Sequence, residues 1–278
     1  MGFLNINNFG FVSVILVSIS CVLFFNLPME NVQTIFLNIG QGDSIYLRTP
    51  DDYQILIDGG PLSTVIEELG ETMPLYNKTL DLLVMTHPHA DHFEGFIEVI
   101  NRFEVEKVMI VGTPSYNPAY KVFLESIVEN EIDVIYADSR KDLKIGEWLY
   151  FDVVYPVESM VGKEAENKNN ASIVIRAITD DNVILFTGDA EHEEEKEILI
   201  SGDLIQTDIL KAGHHGSKTA SGEELLKAAM PEKVIIQCGI DNKFNHPHEE
   251  ALDRYAEIGI TEIYRNDLLG RIDLRSLD

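Results

Sequence analysis

Residues 86–92 read THPHADH: His87, His89 and His92 with Asp91, four metal-binding side chains within six positions of a chain that has eight histidines. The run follows a short apolar strand candidate, DLLVMTH (81–87). It precedes DHFEGFIEVINRF (91–103), where Phe93, Phe96, Ile97 and Ile100 recur at helical spacing. A strand feeding directly into a helix is the unit of an α/β protein, and the strand's end is where such folds place their sites. Neutral imidazole and carboxylate are donors that zinc and manganese accept. Four of them exceed what one tetrahedral ion uses while it keeps a water. They suit two ions, His87 and His89 on one, Asp91 and His92 on the other.

The remaining histidines are clustered too. His214 and His215 stand in GHHGS, and His246 and His248 in HPH, each after a strand candidate; only His192 stands apart, in the acidic segment EHEEEKE, where a solvated helix face is expected. Asp58 in LIDGG and Asp189 in FTGD end apolar strands in the same manner. His246 and His248 open a helix, whose N-terminal N–H groups favour anions, and either could grip a phosphate or donate a proton to a leaving oxygen. Asp43 and Ser44 in GQGDS fit either a tight hairpin turn or the lining of the site.

Around these motifs strands and helices alternate. Strands are expected at VQTIFLN, SIYLRT, YQILID, KVMIVG, DVIYA, EWLYFDVVYP, TDILKAG and KVIIQCG, with a hairpin of ASIVIRAI and NVILFTGD around TDDN. Helices are expected at PAYKVFLESIVENE and over 191–200, 222–230 and 248–258, and a polar loop over 157–170. No linker interrupts the chain after Glu30, so residues 30–278 read as one α/β domain.

Residues 1–29 are a separate object. Phe9 to Phe25 is apolar apart from serines and a glycine, and no charged side chain appears before Glu30. Seventeen residues lie at the short end for a membrane span. A transmembrane anchor in the form of an N-terminal hydrophobic helix is the favoured reading and a cleaved signal peptide its competitor, which makes the protein membrane-anchored or secreted with its domain extracytoplasmic. The first basic residue is Arg48, so flanking charge does not orient the segment. Against 21 Lys and Arg stand 47 Asp and Glu, a formal charge of −26. Such a surface repels phosphate backbones and argues against broad nucleic-acid binding. Cys21 lies in the apolar run, so a structural disulfide with Cys238 is not expected.

THPHADH resembles the H-x-H-x-D-H motif of the metallo-β-lactamase superfamily. LNIGQGDS (37–44), LIDGG (56–60), LFTGD (185–189), LKAGHHGSK (210–218) and NHPH (245–248) are similar to the nuclease-like domain of ComEC-type DNA-uptake proteins. The resemblance spans about residues 32–274. It implies a four-layer αββα sandwich with two divalent ions, Zn or Mn, at one edge. It implies that His87 and His89 hold one ion, Asp91 and His92 the other, and that Asp189 bridges them. A histidine of the His214–His215 pair, His214 by preference, completes the second ion, while Asp58 orients the histidine motif from behind. Where many members carry a further histidine, NNAS (169–172) stands here, so Asn170 and Ser172 take that place. The implied activity is hydrolysis by a metal-bound hydroxide, with Asp91 orienting it. The favoured substrate is a small phosphodiester or single-stranded nucleic acid. Lactone or lactam hydrolysis and a non-catalytic metal-binding role in a membrane assembly are the alternatives.

Overall fold

The computed structural model describes residues 29–277. The apolar run Phe9–Phe25, and with it the expected N-terminal helix, lies outside the described residues. Among the described residues no helix is long and apolar enough to cross a membrane.

Two seven-stranded sheets form the centre of the domain. In spatial order the first holds β16 (Ile272–Asp273), β1 (Gln33–Phe36), β2 (Ile45–Arg48), β3 (Gln54–Ile57), β5 (Leu82–Met85), β7 (Lys107–Ile110) and β8 (Asp133–Tyr136). The second holds β15 (Glu262–Arg265), β14 (Lys233–Ile236), β13 (Ile209–Lys211), β12 (Val183–Phe186), β11 (Val174–Ile178), β10 (Leu149–Tyr155) and β9 (Leu143–Ile145). A small parallel pair, β4 (Thr79–Leu80) and β6 (Glu104–Val105), stands aside. From β3 to β8 and from β12 to β15 the pairing is parallel, and elsewhere in the two sheets antiparallel.

The strand sequences show why two sheets stack with helices outside. Along β5, Leu82 and Val84 enter the core between the sheets, while Leu83 and Met85 meet the helices. β3 divides in the same way, Ile55 and Ile57 inward and Leu56 outward. Both faces are buried, so these strands read as continuous apolar runs rather than alternating ones. Helices α1 (Thr64–Thr72), α2 (Ala90–Arg102) and α3 (Pro118–Glu129) cover the first sheet. Helices α4 (His192–Ser201), α5 (Glu223–Ala229) and α6 (Glu249–Ile258) cover the second, and α7 (Asn266–Leu269) is a single turn near the end. The expected αββα order therefore holds for the domain.

Two features depart from the sequence reading. Helix α1 has no counterpart among the expected helices; of its nine residues, Val65 and Leu69, one turn apart, are the buried ones. The acidic helix α4 is not wholly solvated: Glu194 and Glu195 are buried, the latter accepting hydrogen bonds from Ser221 N at 2.5 Å and Gly222 N at 2.9 Å. His192 is half-buried beside them. The hairpin around TDDN forms as expected, closed by Thr179 N donating to Asn182 O.

Candidate metal centre

The site lies at the C-terminal ends of β3, β5, β12, β13 and β14, where the strands run out into loops. Asp58 follows β3 with a left-handed φ of 55°. Gly59 and Gly95 then let α2 approach unusually closely. A Cβ on Gly59 would meet Phe96 N at 2.8 Å, and one on Gly95 would meet Gly59 O at 2.0 Å. This approach presses the first turn of α2 onto the Asp58 loop, and His92 Nδ1 donates to Asp58 Oδ2 at 2.7 Å. The same carboxylate accepts from Thr86 N at 2.8 Å and from Thr86 Oγ1 at 2.7 Å. With its proton given to Asp58, the Thr86 hydroxyl can only accept from His87 Nδ1, 3.1 Å away.

The other two histidines are tied by the same nitrogen. His215 Nδ1 lies 3.0 Å from Gln237 O, and His214 Nδ1 lies 2.9 Å from Glu191 Oε1. Every one of the four therefore has an oxygen at Nδ1 and turns Nε2 inward. These Nε2 atoms converge on one oxygen, Asp189 Oδ2, at 3.8 Å for His87, 3.3 Å for His92, 3.8 Å for His214 and 3.5 Å for His215. Two donors each ~2.1 Å from a tetrahedral ion stand ~3.4 Å apart, so this spacing is that of co-ligands rather than of hydrogen-bonded partners. His89 turns Nδ1 to His87 Nε2 at 2.9 Å, and Asp91 Oδ2 stands 3.6 Å from His215 Nε2.

The residues fit a divalent metal on a second count. His92 Nε2, His215 Nε2, Asp189 Oδ1 and Asp43 Oδ1 are buried and, among the described residues, lack a hydrogen-bond partner. Buried polar atoms of this kind need a ligand. Groups able to hold an ion include His87, His92 and Asp189 on one side and Asp91, His92 and His215 on the other. The buried charges here shift the imidazoles in opposite directions. Burial opposes charge on His92, but Asp189 and Asp58 carry its pKa well above the ordinary value. His215, also against burial, is pushed up to about 9 by Asp189 and Asp43. His87 goes the other way, held well below the usual range by burial and by the charge on His92.

Several positions differ from the sequence reading. The group around Asp91 and His92 contains His215, whereas the motif comparison prefers His214. Both residues have left-handed backbone, φ 54° and 46°, which turns consecutive side chains to different sides. Asn170 faces outward, donating to Glu193 Oε2 at 3.0 Å and accepting from Glu191 N. Its neighbour Asn169 is the one beside the site, with Nδ2 at 3.3 Å from His214 Nδ1. Ser172 Oγ accepts from Asp189 N at 3.0 Å and lies 3.4 Å from His87 Nδ1, behind the site rather than in it. The His246 ring packs 5.3 Å from that of His214 and 6.0 Å from that of His215. His248 is farther out, its Nδ1 accepting from Lys218 N at 3.1 Å.

Lys211, Glu191 and Gln237 belong to the site without being among the expected site residues, although Lys211 stands inside LKAGHHGSK. Lys211 is fully buried and pairs with Asp43 Oδ2. It donates to Gly188 O at 3.0 Å and stands 3.9 Å from Asp189 Oδ1. The signal was present: a lysine ending the apolar strand Ile209–Lys211, just before GHHGS. Of the two readings of GQGDS, the lining one describes Asp43, which is buried against Lys211 and His215.

The fold and this constellation define a metallo-β-lactamase-type metal centre. The family model described as metallo-beta-lactamase superfamily matches residues 37–239, and the chain belongs to that superfamily. It is 31% identical over 257 residues to ComE operon protein 3 of Bacillus subtilis (strain 168), covering 86% of this chain and 32% of that protein. It is 26% identical over 253 residues to competence protein ComA of Neisseria gonorrhoeae, covering 88% of this chain and 32% of that protein. The ComEC-type relationship expected from the motifs holds, and the chain spans about a third of the length of these curated relatives. Among solved structures, the metallo-beta-lactamase fold protein YhfI from Bacillus subtilis superposes with a TM-score of 0.57 at 12% identity, over 88% of this chain and 100% of that one. This fold binds divalent metals, and the His and Asp groups gathered here are those that could hold them.

Proposed function

We propose that this protein is a hydrolase, a phosphodiesterase that uses two divalent ions and acts on small phosphodiesters or short single strands. The observation that carries the reading is the convergence of four Nε2 atoms on Asp189 Oδ2. A single carboxylate oxygen shared so widely suits a bridge. His87 and His89 are the proposed ligands of the first ion, and Asp91, His92 and His215 of the second. His214, held by Glu191 and Asn169, is a further imidazole facing Asp189. Ions bound here would lower the pKa of a water and neutralise a phosphoryl group.

The chain's own residues have distinct parts in this scheme. Asp58, Thr86 and Gln237 fix the Nδ1 tautomers, so that Nε2 lone pairs face inward. Asp91, half-exposed at the start of α2, is the proposed group to orient an attacking water. His246 borders the open side of the site and is the proposed hydrogen-bond donor to a substrate oxygen. A site with oxygen donors and no tri-histidine motif suits manganese better than a lactamase-like zinc centre does. The segment Phe9–Phe25 is the proposed membrane anchor, with residues 30–278 as the hydrolase domain outside the cytoplasm.

The test uses the full chain, stripped of metal and reloaded with Mn²⁺ or Zn²⁺. Substrates are a chromogenic diester, a short single-stranded oligonucleotide, linear duplex, a lactone and a lactam. Metal-dependent cleavage of the diester and the single strand, abolished in His89→Ala, is the expected result. Turnover of the lactone or lactam but of no diester overturns it. Bound metal with no turnover of any substrate points to a non-catalytic metal-binding domain.

A further inference from the structure

Beside the metal centre, residues 239–248 form a loop between β14 and α6 that carries two exposed apolar side chains, Ile240 and Phe244. The loop is tightly organised. Asn242 Oδ1 accepts from His246 N at 2.9 Å and Phe244 N at 3.2 Å, while its Nδ2 donates to His246 O at 2.6 Å and Gly239 O at 2.9 Å. His248 N donates to Gly216 O at 3.0 Å, which fastens the far end of the loop to the turn holding His214 and His215.

Phe244 is 46% exposed, so a large part of its ring is open. It stacks on His246 with centroids 5.6 Å apart and planes 22° from parallel. His246 in turn lies 5.3 Å from the His214 ring, whose Nε2 faces Asp189. The aromatic surface thus continues in two steps from the proposed metal ligands to the rim. Lys243 Nζ lies over the Phe244 ring, 4.8 Å from its centroid, at cation–π distance. Among the described residues no carboxylate pairs with Lys243, whereas Lys218 lies 3.9 Å from Glu250.

We propose that Phe244 is a stacking platform for the nucleobase next to the cleaved phosphodiester, with Lys243 meeting a neighbouring phosphate. This rests on the phosphodiesterase reading of the metal centre. An exposed aromatic ring at the rim of a metal site offers its face to a flat partner, and in a nucleic acid the flat group covalently joined to the phosphodiester is the nucleobase. Stacking on an aromatic side chain tolerates any base, because each has a π face. A base paired inside a duplex cannot reach the ring. The platform therefore selects single strands, and it supplies attraction that a chain of formal charge −26 does not provide by charge. Lys243 leaves the ring when a base arrives and is then free to contact phosphate.

Binding is measured apart from cleavage, with the full-length chain in a mild non-ionic detergent and Mn²⁺ present. The probes are a short fluorescein-labelled oligothymidylate and an abasic oligomer of equal length, both phosphorothioate-linked so that cleavage does not intrude. The wild type is expected to bind the base-bearing strand about tenfold more tightly. Phe244→Ala should remove that preference. Phe244→Trp should keep it, with quenching of the new indole's emission on binding. Equal affinity of the wild type for the two strands, or a preference that survives Phe244→Ala, overturns the platform. A base preference that depends on Phe244 sustains the platform even if no diester is hydrolysed, in which case the hydrolytic reading alone falls.

Discussion

Asp58 Oδ2 and His92 Nδ1 meet at 2.7 Å although the residues stand 34 apart in the chain. With Nδ1 held there, His92 turns Nε2 to Asp189 in the centre. Asp58 also holds Thr86, and through it His87, so one buried carboxylate sets two of the inward-facing imidazoles. Groups that orient metal-bound histidines typically matter about 10–100-fold in metal affinity. Asp58→Asn should weaken Mn²⁺ or Zn²⁺ binding by that factor, read by competition with a chromogenic chelator. Unchanged affinity would show that packing of α2 alone orients the ring.

Asp189 is the common neighbour of both donor groups, and its removal is expected to be felt by both. With metal in excess the wild type should hold about two ions per chain, as zinc- and manganese-type donor sets of this size allow. Asp189→Ala should release both on gel filtration, measured by elemental analysis. Retention of the full metal content would remove Asp189 from the role of bridge.

Lys211 and Asp43 make a buried pair whose breakage is more costly than its presence is stabilising. Lys211→Met leaves the Asp43 carboxylate without its lysine partner in a desolvated site. Loss of one partner of such a pair typically costs ~3–5 kcal/mol. Thermal unfolding in the presence of a chelator should show a clear fall in Tm. Adding Asp43→Leu should restore much of it, because no unpaired charge then remains. A double variant no more stable than Lys211→Met would mean that the lysine acts through packing of β13 instead.

These cases also mark what could be read from the chain. The stretch around His87–His92 declared itself because strand, donors and helix are contiguous, and an apolar strand needs no partner to be recognised. The αββα layering followed from runs such as Leu82–Met85, buried on both faces. Lys211 and Asp43 were less legible, since their chemistry exists only when β13 and the loop after β1 meet in space. Asn169 and Asn170 could not be separated by sequence, because a single 3₁₀ turn over Lys168–Ala171 decides which side chain faces His214. His214 and His215 were equivalent in the same sense until the left-handed turn divided them. Glu194 and Glu195 escape the pattern because three consecutive glutamates read as a solvated face, while the fold buries two of them.

That burial gives a pH dependence of known sign. Desolvation raises the Glu195 pKa to about 7, although Gly222 N and Ser221 N favour its charged form. The unfolded chain releases this proton near the ordinary value of 4.5. Between those two values the folded state holds the extra proton, so stability falls as pH rises through the window and levels off above it. The expected loss from this residue is roughly 3 kcal/mol between pH 4.5 and 8. Other groups titrate over the same range, so the comparison is with Glu195→Gln, which has no proton to lose. Urea denaturation at pH 5 and pH 8 should show the wild type losing more stability than the variant. Equal losses would mean that Glu195 ionises at its ordinary pKa in the folded protein.

The apolar segment at the N-terminus bears on where all of this chemistry takes place. Seventeen helical residues would measure ~26 Å, slightly less than the ~30 Å hydrocarbon thickness of a bilayer. A span of that length requires local thinning of the bilayer, or extension by the flanking uncharged residues, and here they are available: residues 3–8 and 26–28 carry no charge. The full-length chain is therefore expected in the membrane fraction, released by detergent and retained in high salt. A shortened soluble form in the medium would identify the segment as a cleaved signal instead. Protease added to intact cells should digest residues 30–278 while leaving a cytoplasmic marker whole. Protection of the domain would put the metal centre on the cytoplasmic side.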